Sequence, residues 1–323
     1  MNPSLSIEIR MYEPALKEEW DRFTENSRNG TFLLKRDYME YHADRFEDSS
    51  LLFFRKGRLF ALLPACKKDL TLSSHAGLTY GGIVSSEEMT AEGMLDIFSA
   101  LTDWADYHSF REIVYKPIPY IYTRIPAQED LYALFRFGAT LETRLISSVA
   151  EAGECPPLAQ LRKRGIKKAL KHGLEVRESE DFASFWNLLT ENLQTRHNAS
   201  PVHSLEEISR LASLFPENIR LFGAFKGEEM FAGVVGYITP VCFHCQYISA
   251  SPEGKETGAL DLLFDRLMER ELAKRRYFDF GTSNEAGGRV LNTGLIHQKE
   301  GFGGRAVCYD AYRLCVGTNG RKK

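Results

Sequence analysis

A chain that repeats itself at a fixed spacing is most simply built by folding one supersecondary unit twice, and this sequence repeats. The run Gly93-Met94-Leu95-Asp96 returns as Gly258-Ala259-Leu260-Asp261, 165 positions later. Phe137-Gly138 returns as Phe302-Gly303 at the same spacing of 165. Upstream, Lys56-Gly57 and Lys226-Gly227 lie 170 apart, and Phe60-Ala61 and Phe231-Ala232 lie 171 apart. A small insertion between the two blocks accounts for the change in spacing.

Periodicity gives the unit its shape. Met94, Ile97, Phe98 and Leu101 share one helix face, as do Ala259, Leu263, Phe264, Leu267 and Met268. A strand pattern follows each helix, EIVYK at 112–116 and YFDFG at 277–281, then a second helical stretch ending in Phe-Gly. The expected order is a leading strand, one or two helices, an antiparallel hairpin, a strand, a helix, a strand, a short helix and a final strand pair. Lys56-Gly57 and Lys226-Gly227 are expected in the tight hairpin turns. At 323 residues the chain has room for two such domains, 1–150 and 151–323. The crossing is expected in SVAEAGECPP, 148–157, where two prolines and small residues break the pattern.

Composition removes several classes. A net charge of −3 argues against a general nucleic-acid coat or a membrane-surface protein. No apolar run has membrane-spanning length, and a soluble cytoplasmic protein is expected. Six cysteines in a chain this long suit a reducing compartment rather than a disulfide framework. Cys242-x-x-Cys245 sits in a strand-like run, so Cys242 and His244 share one face and Cys245 takes the other; no metal is expected. Cys308 reads as core, and no Ser/His/Asp or Cys/His arrangement suggests a covalent intermediate.

The order of elements, with a glycine-bearing loop entering the helix after the fourth strand, resembles the GNAT acyltransferase fold. Four motifs carry a closer resemblance to the Fem-type double-GNAT transferases of bacterial surface-polysaccharide clusters. They are RKRGIKKALKHGLEV (162–176), QYISASPEGKETGALDLL (246–263), YFDFGTSN (277–284) and LNTGLIHQKEGFGG (291–304). The resemblance implies α/β architecture in two tandem GNAT-like domains, with mixed, mostly antiparallel sheets flanked by helices. It implies direct transfer of an acyl or aminoacyl group to an amine of a cell-envelope or polysaccharide precursor. The donor would be acyl-CoA or aminoacyl-tRNA, the acceptor a small or nucleotide-linked molecule, with no DNA partner. The long helical-hairpin insertion of some tRNA-dependent members is missing, which leaves the donor open. A binding protein that has lost transfer is the competing class.

The same resemblance assigns residues. Gly254, Lys255 and Gly258 would hold the donor's phosphates, since glycine-exposed N–H groups at a helix N-terminus suit anions; the alternative is a plain surface loop. Lys299 would point into the transfer site and support the donor's carbonyl or the phosphate near it, where the ordinary reading is a solvated helix-end lysine. Asp279, facing away from Phe278 and Phe280, would hold Lys299 or a substrate amine or act as a base, or else bridge structurally to Ser283 or Asn284. Lys35, Arg36, Arg196 and Tyr247 would contact the acceptor. His75 and Tyr80 in SSHAGLTYGG, and Lys116 in YKPIPYIYTR, are further acceptor candidates, because glycines and prolines shape loops that approach a ligand. The six basic residues from Arg162 to Lys171 make either a guide for a tRNA or nucleotide-linked substrate or a solvated face.

Overall fold

The computed structural model describes residues 7–197 and 200–317, the side chains of 196 and 197 excepted. The described parts of Met1–Leu145 and Cys308–Lys323 form one compact unit, and Ile146–Val307 forms the other. Both are mixed α/β. Among the described residues no helix is long and apolar enough to cross a membrane.

In the first unit Ile7–Met11, Leu51–Arg55, Arg58–Leu63 and Val84–Ser85 make one antiparallel sheet. A second ladder joins Glu112–Tyr115 in parallel to Thr71–Ser73 and antiparallel to Arg305–Cys315. The expected apolar helix is Ala91–Tyr107, whose Met94, Ile97, Phe98 and Leu101 bury against Phe53, Ala61 and Ile113. Leu314, from the end of the chain, completes this core. A division at 150 left that segment in the second half, but the strand Arg305–Cys315 carries it into the first unit. Its alternation buries Val307, Tyr309 and Ala311 and turns Cys308 outward, so Cys308 is exposed and not core.

In the second unit the strands run Glu175–Ser179, Ile219–Lys226, Glu229–Ile238, Cys242–Ala250 and Tyr277–Thr282, and the end of Thr140–Glu151 pairs antiparallel with the last of them. Residues 148–151, inside the expected crossing, are therefore strand. Helix Ala259–Leu272 lies on the sheet, with Leu263, Phe264 and Leu267 packed among Phe278, Phe280 and Phe302. Phe243 and Cys245 join that core, as strand alternation requires. Each fully buried aromatic of this kind contributes about 2–3 kcal/mol.

The first hairpin turns at Lys56 and Gly57, with φ of 52° and 73°. The second turns one residue later than expected, at Gly227 and Glu228, because Lys226 still pairs with Glu229. Both hairpins carry the same bulge, at Phe53/Phe54 and Ala224/Phe225, and the strands correspond at a spacing of 171, so Lys56 matches Gly227 rather than Lys226.

Candidate active site

The second unit's strands Cys242–Ala250 and Tyr277–Thr282 pair only through Cys242, Phe243 and His244 with Tyr277, Phe278 and Asp279. Beyond His244 and Asp279 they part. The register of each against its outer neighbour also slips there, between Val235/Gly236 and between Asp279/Thr282. Gly281 takes φ of +80°, which a residue with a Cβ adopts only at a cost. A parted pair leaves carbonyls without donors, and buried carbonyls need them.

Lys299 supplies the donors. It sits in the last turn of helix Thr293–Glu300, 4% exposed, and its Nζ donates to Gly281 O and Thr282 O at 2.8 Å each. A solvated helix-end lysine is therefore not what stands here. Burial pushes its pKa down to about 8, while the charge of Asp279 pulls the other way. Two of the three ammonium N–H groups are used on the split strand.

Asp279 is fully buried. Its Oδ1 accepts from Ser147 Oγ at 2.5 Å and from Gly281 N at 2.8 Å, and its Oδ2 lies 2.7 Å from His244 Nδ1. The expected bridge to Ser283 or Asn284 is not made. Asp279 stands directly opposite His244 in the ladder, so its carboxylate meets the flanking strands first. Asn284 instead accepts from Ile146 N at 2.6 Å. Neither Ser147 nor His244 was marked by the sequence in this role, because no local motif links residues this far apart.

The glycine loop has packing reasons of its own. Pro252–Thr257 is a six-residue helix capped by Ser251, whose Oγ accepts from Gly254 N at 2.9 Å. That N–H is thus not offered to an anion, which corrects the sequence reading of Gly254. A Cβ on Gly254 would stand 2.0 Å from Phe231 O. Gly258, at φ +81°, starts helix Ala259–Leu272, and a Cβ there would stand 2.5 Å from Gly165 O. Close approach of this helix to the basic helix Gln160–Lys171 requires both Gly165 and Gly258. Lys255 Nζ is hydrogen-bonded to Asn192 Oδ1.

Between these helices lies a cavity of about 330 Å³, lined by Arg162, Lys255, Gly258, Asp261, His297 and Gln298 among others. Arg162 Nη1 donates to Asp261 Oδ1 at 2.6 Å. His297 and Lys299 come from one helix, so the cavity and the split strands share a wall. Gly254, Lys255 and Gly258 are brought together here with Arg162, which the sequence placed only in a basic run. The rest of that run, including Lys163, Arg164, Lys167, Lys168 and Lys171, is exposed.

Tyr247 follows the split on its strand. Its hydroxyl lies 2.5 Å from His203 Nδ1 and accepts from His203 N at 3.3 Å, and Trp186 packs edge-on at 5.0 Å. Burial pushes the phenol up to about 12, so it stays neutral. His203 had no sequence signal. The side chain of Arg196 lies outside the described residues.

In the first unit the expected acceptor residues are placed individually. Arg36 is 2% exposed, and its guanidinium donates to Glu40 Oε1 at 2.9 Å, Ser50 Oγ at 3.2 Å and Asp48 Oδ2 at 2.5 Å, with Tyr12 stacked at 3.6 Å. Buried and bonded within the fold, it does not line a surface site, which corrects its reading as a phosphate contact. Lys35 pairs with Glu25. Tyr80 is 2% exposed, bonds Thr31 Oγ1 at 3.1 Å and packs on Tyr122, so it is interior rather than lining a surface site. His75 is buried beside His42, and burial lowers its pKa to about 3. Lys116 Nζ donates to Leu78 O at 2.5 Å and Ala76 O at 3.3 Å, tying down the loop that holds His75; burial lowers its pKa to about 8.

Comparison with known proteins follows this geometry. Residues 160–286 match the family model for the acetyltransferase (GNAT) domain. No curated protein matches the sequence. Among solved structures FemX superposes with a TM-score of 0.67 at 11% identity, covering 96% of this chain and 97% of its own. L-PGS from Bacillus licheniformis gives 0.63 at 13%, covering 97% and 94%. A C-terminal domain assigned to a lysylphosphatidylglycerol synthetase of Agrobacterium fabrum gives 0.61 at 12%, covering 94% and 92%. At these identities the likeness is one of fold, mixed α/β in tandem GNAT-like units.

Proposed function

From an acyltransferase domain of the GNAT class at 160–286, set in the Fem-type tandem fold, we propose that the chain moves an acyl or aminoacyl group from acyl-CoA or aminoacyl-tRNA to an amine. The acceptor in this reading is a cell-envelope or polysaccharide precursor. The observation that carries it is the pair of parted strands with a buried ammonium between them. A donor whose phosphates reach the cavity beside Arg162 and Lys255 would present its carbonyl toward the gap. Lys299 then turns its remaining N–H to the developing oxyanion, in a site dry enough for that bond to count. The amine attacks the carbonyl carbon directly, the C–S or C–O bond of the donor breaks, and the amine's proton is lost to solvent or a nearby base. Asp279 positions His244 and the bulge, and so acts through the shape of the gap.

The exposed basic helix favours a polyanionic donor, and the cavity alone suits a nucleotide. Thermal shift and mass spectrometry against acetyl-CoA, longer acyl-CoAs and charged tRNA separate the two. Stabilisation by a CoA thioester, with acyl transfer to a test amine, supports the first donor; stabilisation by charged tRNA alone supports the second. Binding of neither overturns transfer and leaves a binding protein.

A further inference from the structure

The first unit holds a cavity that the transfer reading does not use. It encloses about 750 Å³ at the tip of the hairpin Leu51–Arg55 and Arg58–Leu63, lined by Arg55, Lys56, Arg58, Phe60 and Ser86 among others. Arg55 and Arg58 stand directly opposite each other in the ladder, where like charges repel. Among the described residues none of the three cations has an ion-pair partner, although Glu87 and Glu88 also line the cavity. Arg55 Nε and Ser86 Oγ are buried atoms with no hydrogen-bond partner. Unpaired buried donors are costly, and these two stand beside the three cations that line the cavity. The Arg55 guanidinium is steadied over the Phe60 ring, 5.1 Å from its centroid.

The repeat gives the cavity a second, independent mark. Ser86 precedes Ser251 by the 165 positions that relate the two units. Ser86 N donates to Phe60 O at 3.2 Å, as Ser251 N does to Phe231 O at 2.9 Å. In the second unit the serine hydroxyl is occupied by Gly254 N, and the short helix Pro252–Thr257 follows. In the first unit no such helix forms at 86–90, and the Ser86 hydroxyl makes no bond of this kind. The counterpart of the donor loop has opened here instead of filling.

The geometry points to an anion site in the first unit for a phosphate-bearing small molecule, separate from the transfer site. Arg55 and Arg58 present guanidinium donors and Lys56 a point charge. This donor set exceeds what one carboxylate can accept and suits the oxygens of a phosphate or pyrophosphate. Glu87 and Glu88 reduce the lining to a small positive excess, so binding is modest and weakened by salt.

Titration calorimetry of the full chain with inorganic pyrophosphate at low salt tests the site. Saturable binding is expected, weakened at least tenfold by Arg55→Ala and severalfold by Arg58→Ala, an exposed position whose change leaves the core intact. Arg55→Lys, which keeps the charge and loses the guanidinium fork, is expected between wild type and Arg55→Ala. Lys255→Ala, in the second unit's cavity, is expected to leave this binding unchanged. No saturable binding overturns the proposal, as does binding that Lys255→Ala abolishes and the arginine variants leave intact. The transfer reading is tested apart from this, by binding of the whole donor and by turnover.

Discussion

Lys299 links stability and activity through one proton. Its pKa in the folded chain is about 8, against an ordinary lysine value of 10.5. Between these values the unfolded chain binds more protons than the folded one, so stability from this residue rises with pH across that window and is lowest below pH 8. The burden of keeping the ammonium buried is about 3 kcal/mol on the scale of one pKa unit per 1.4 kcal/mol. Activity that needs the ammonium runs the other way and falls above pH 8. Lys299→Met is therefore expected to lower kcat about 100-fold or more while leaving donor binding nearly intact, and to remove its share of the alkaline gain in stability. Asp279→Asn removes the charge that holds the ammonium up, so the alkaline limb of kcat is expected to move to lower pH. A kcat profile for Asp279→Asn that superposes on the wild type would remove Asp279 from the site's electrostatics. His75, held neutral by burial with a pKa of about 3, has the same sign in an acid window: its stability is present above pH 6.5 and lost as pH falls toward 3.

At the scale of elements, two glycines decide how the basic helix meets the helix that opens with Gly258. A Cβ at 258 must adopt a left-handed φ and would press on the backbone oxygen of Gly165, which cannot rotate away as a side chain could. Gly258→Ala is expected to cost about 2–4 kcal/mol, from strain and overpacking together. Denaturant unfolding measures it, and a cost under 0.5 kcal/mol would mean that the helices separate freely. The sequence marked Gly258 for phosphate binding. It is also a structural joint, so loss of donor affinity in such a variant has to be read against its stability. The hairpin, by contrast, was legible almost to the residue: Lys56-Gly57 turns as expected, and the second turn falls one residue on because its strands match the first at a spacing of 171.

At the scale of the molecule, the last strand belongs with the first core. Leu314 is 1% exposed within the cluster that holds Phe53, Phe98 and Leu101. Leu314→Ala is expected to destabilise the first unit by about 2–5 kcal/mol. Hydrogen exchange locates the effect: amides of Leu51–Arg55 and Glu112–Tyr115 should lose protection, while those of Ile219–Lys226 keep it. Loss of protection confined to the second unit would contradict the division at Leu145 and Val307.

By itself the sequence determined that one unit is built twice, where its apolar helices and strands fall, and which stretch carries the transferase motifs. Those features are local: a helix face repeats every three or four residues and a strand face every two, so Met94 to Leu101 and Phe278 to Phe280 show their burial in their spacing. Tertiary structure alone decided that Asp279 meets Ser147 and His244, that Arg36 and Tyr80 are spent inside the fold, and that Lys299 closes a gap between strands. Those outcomes depend on register and on which strand lies beside which. Ladders join residues 35 or 132 positions apart, and no local spacing encodes such a distance.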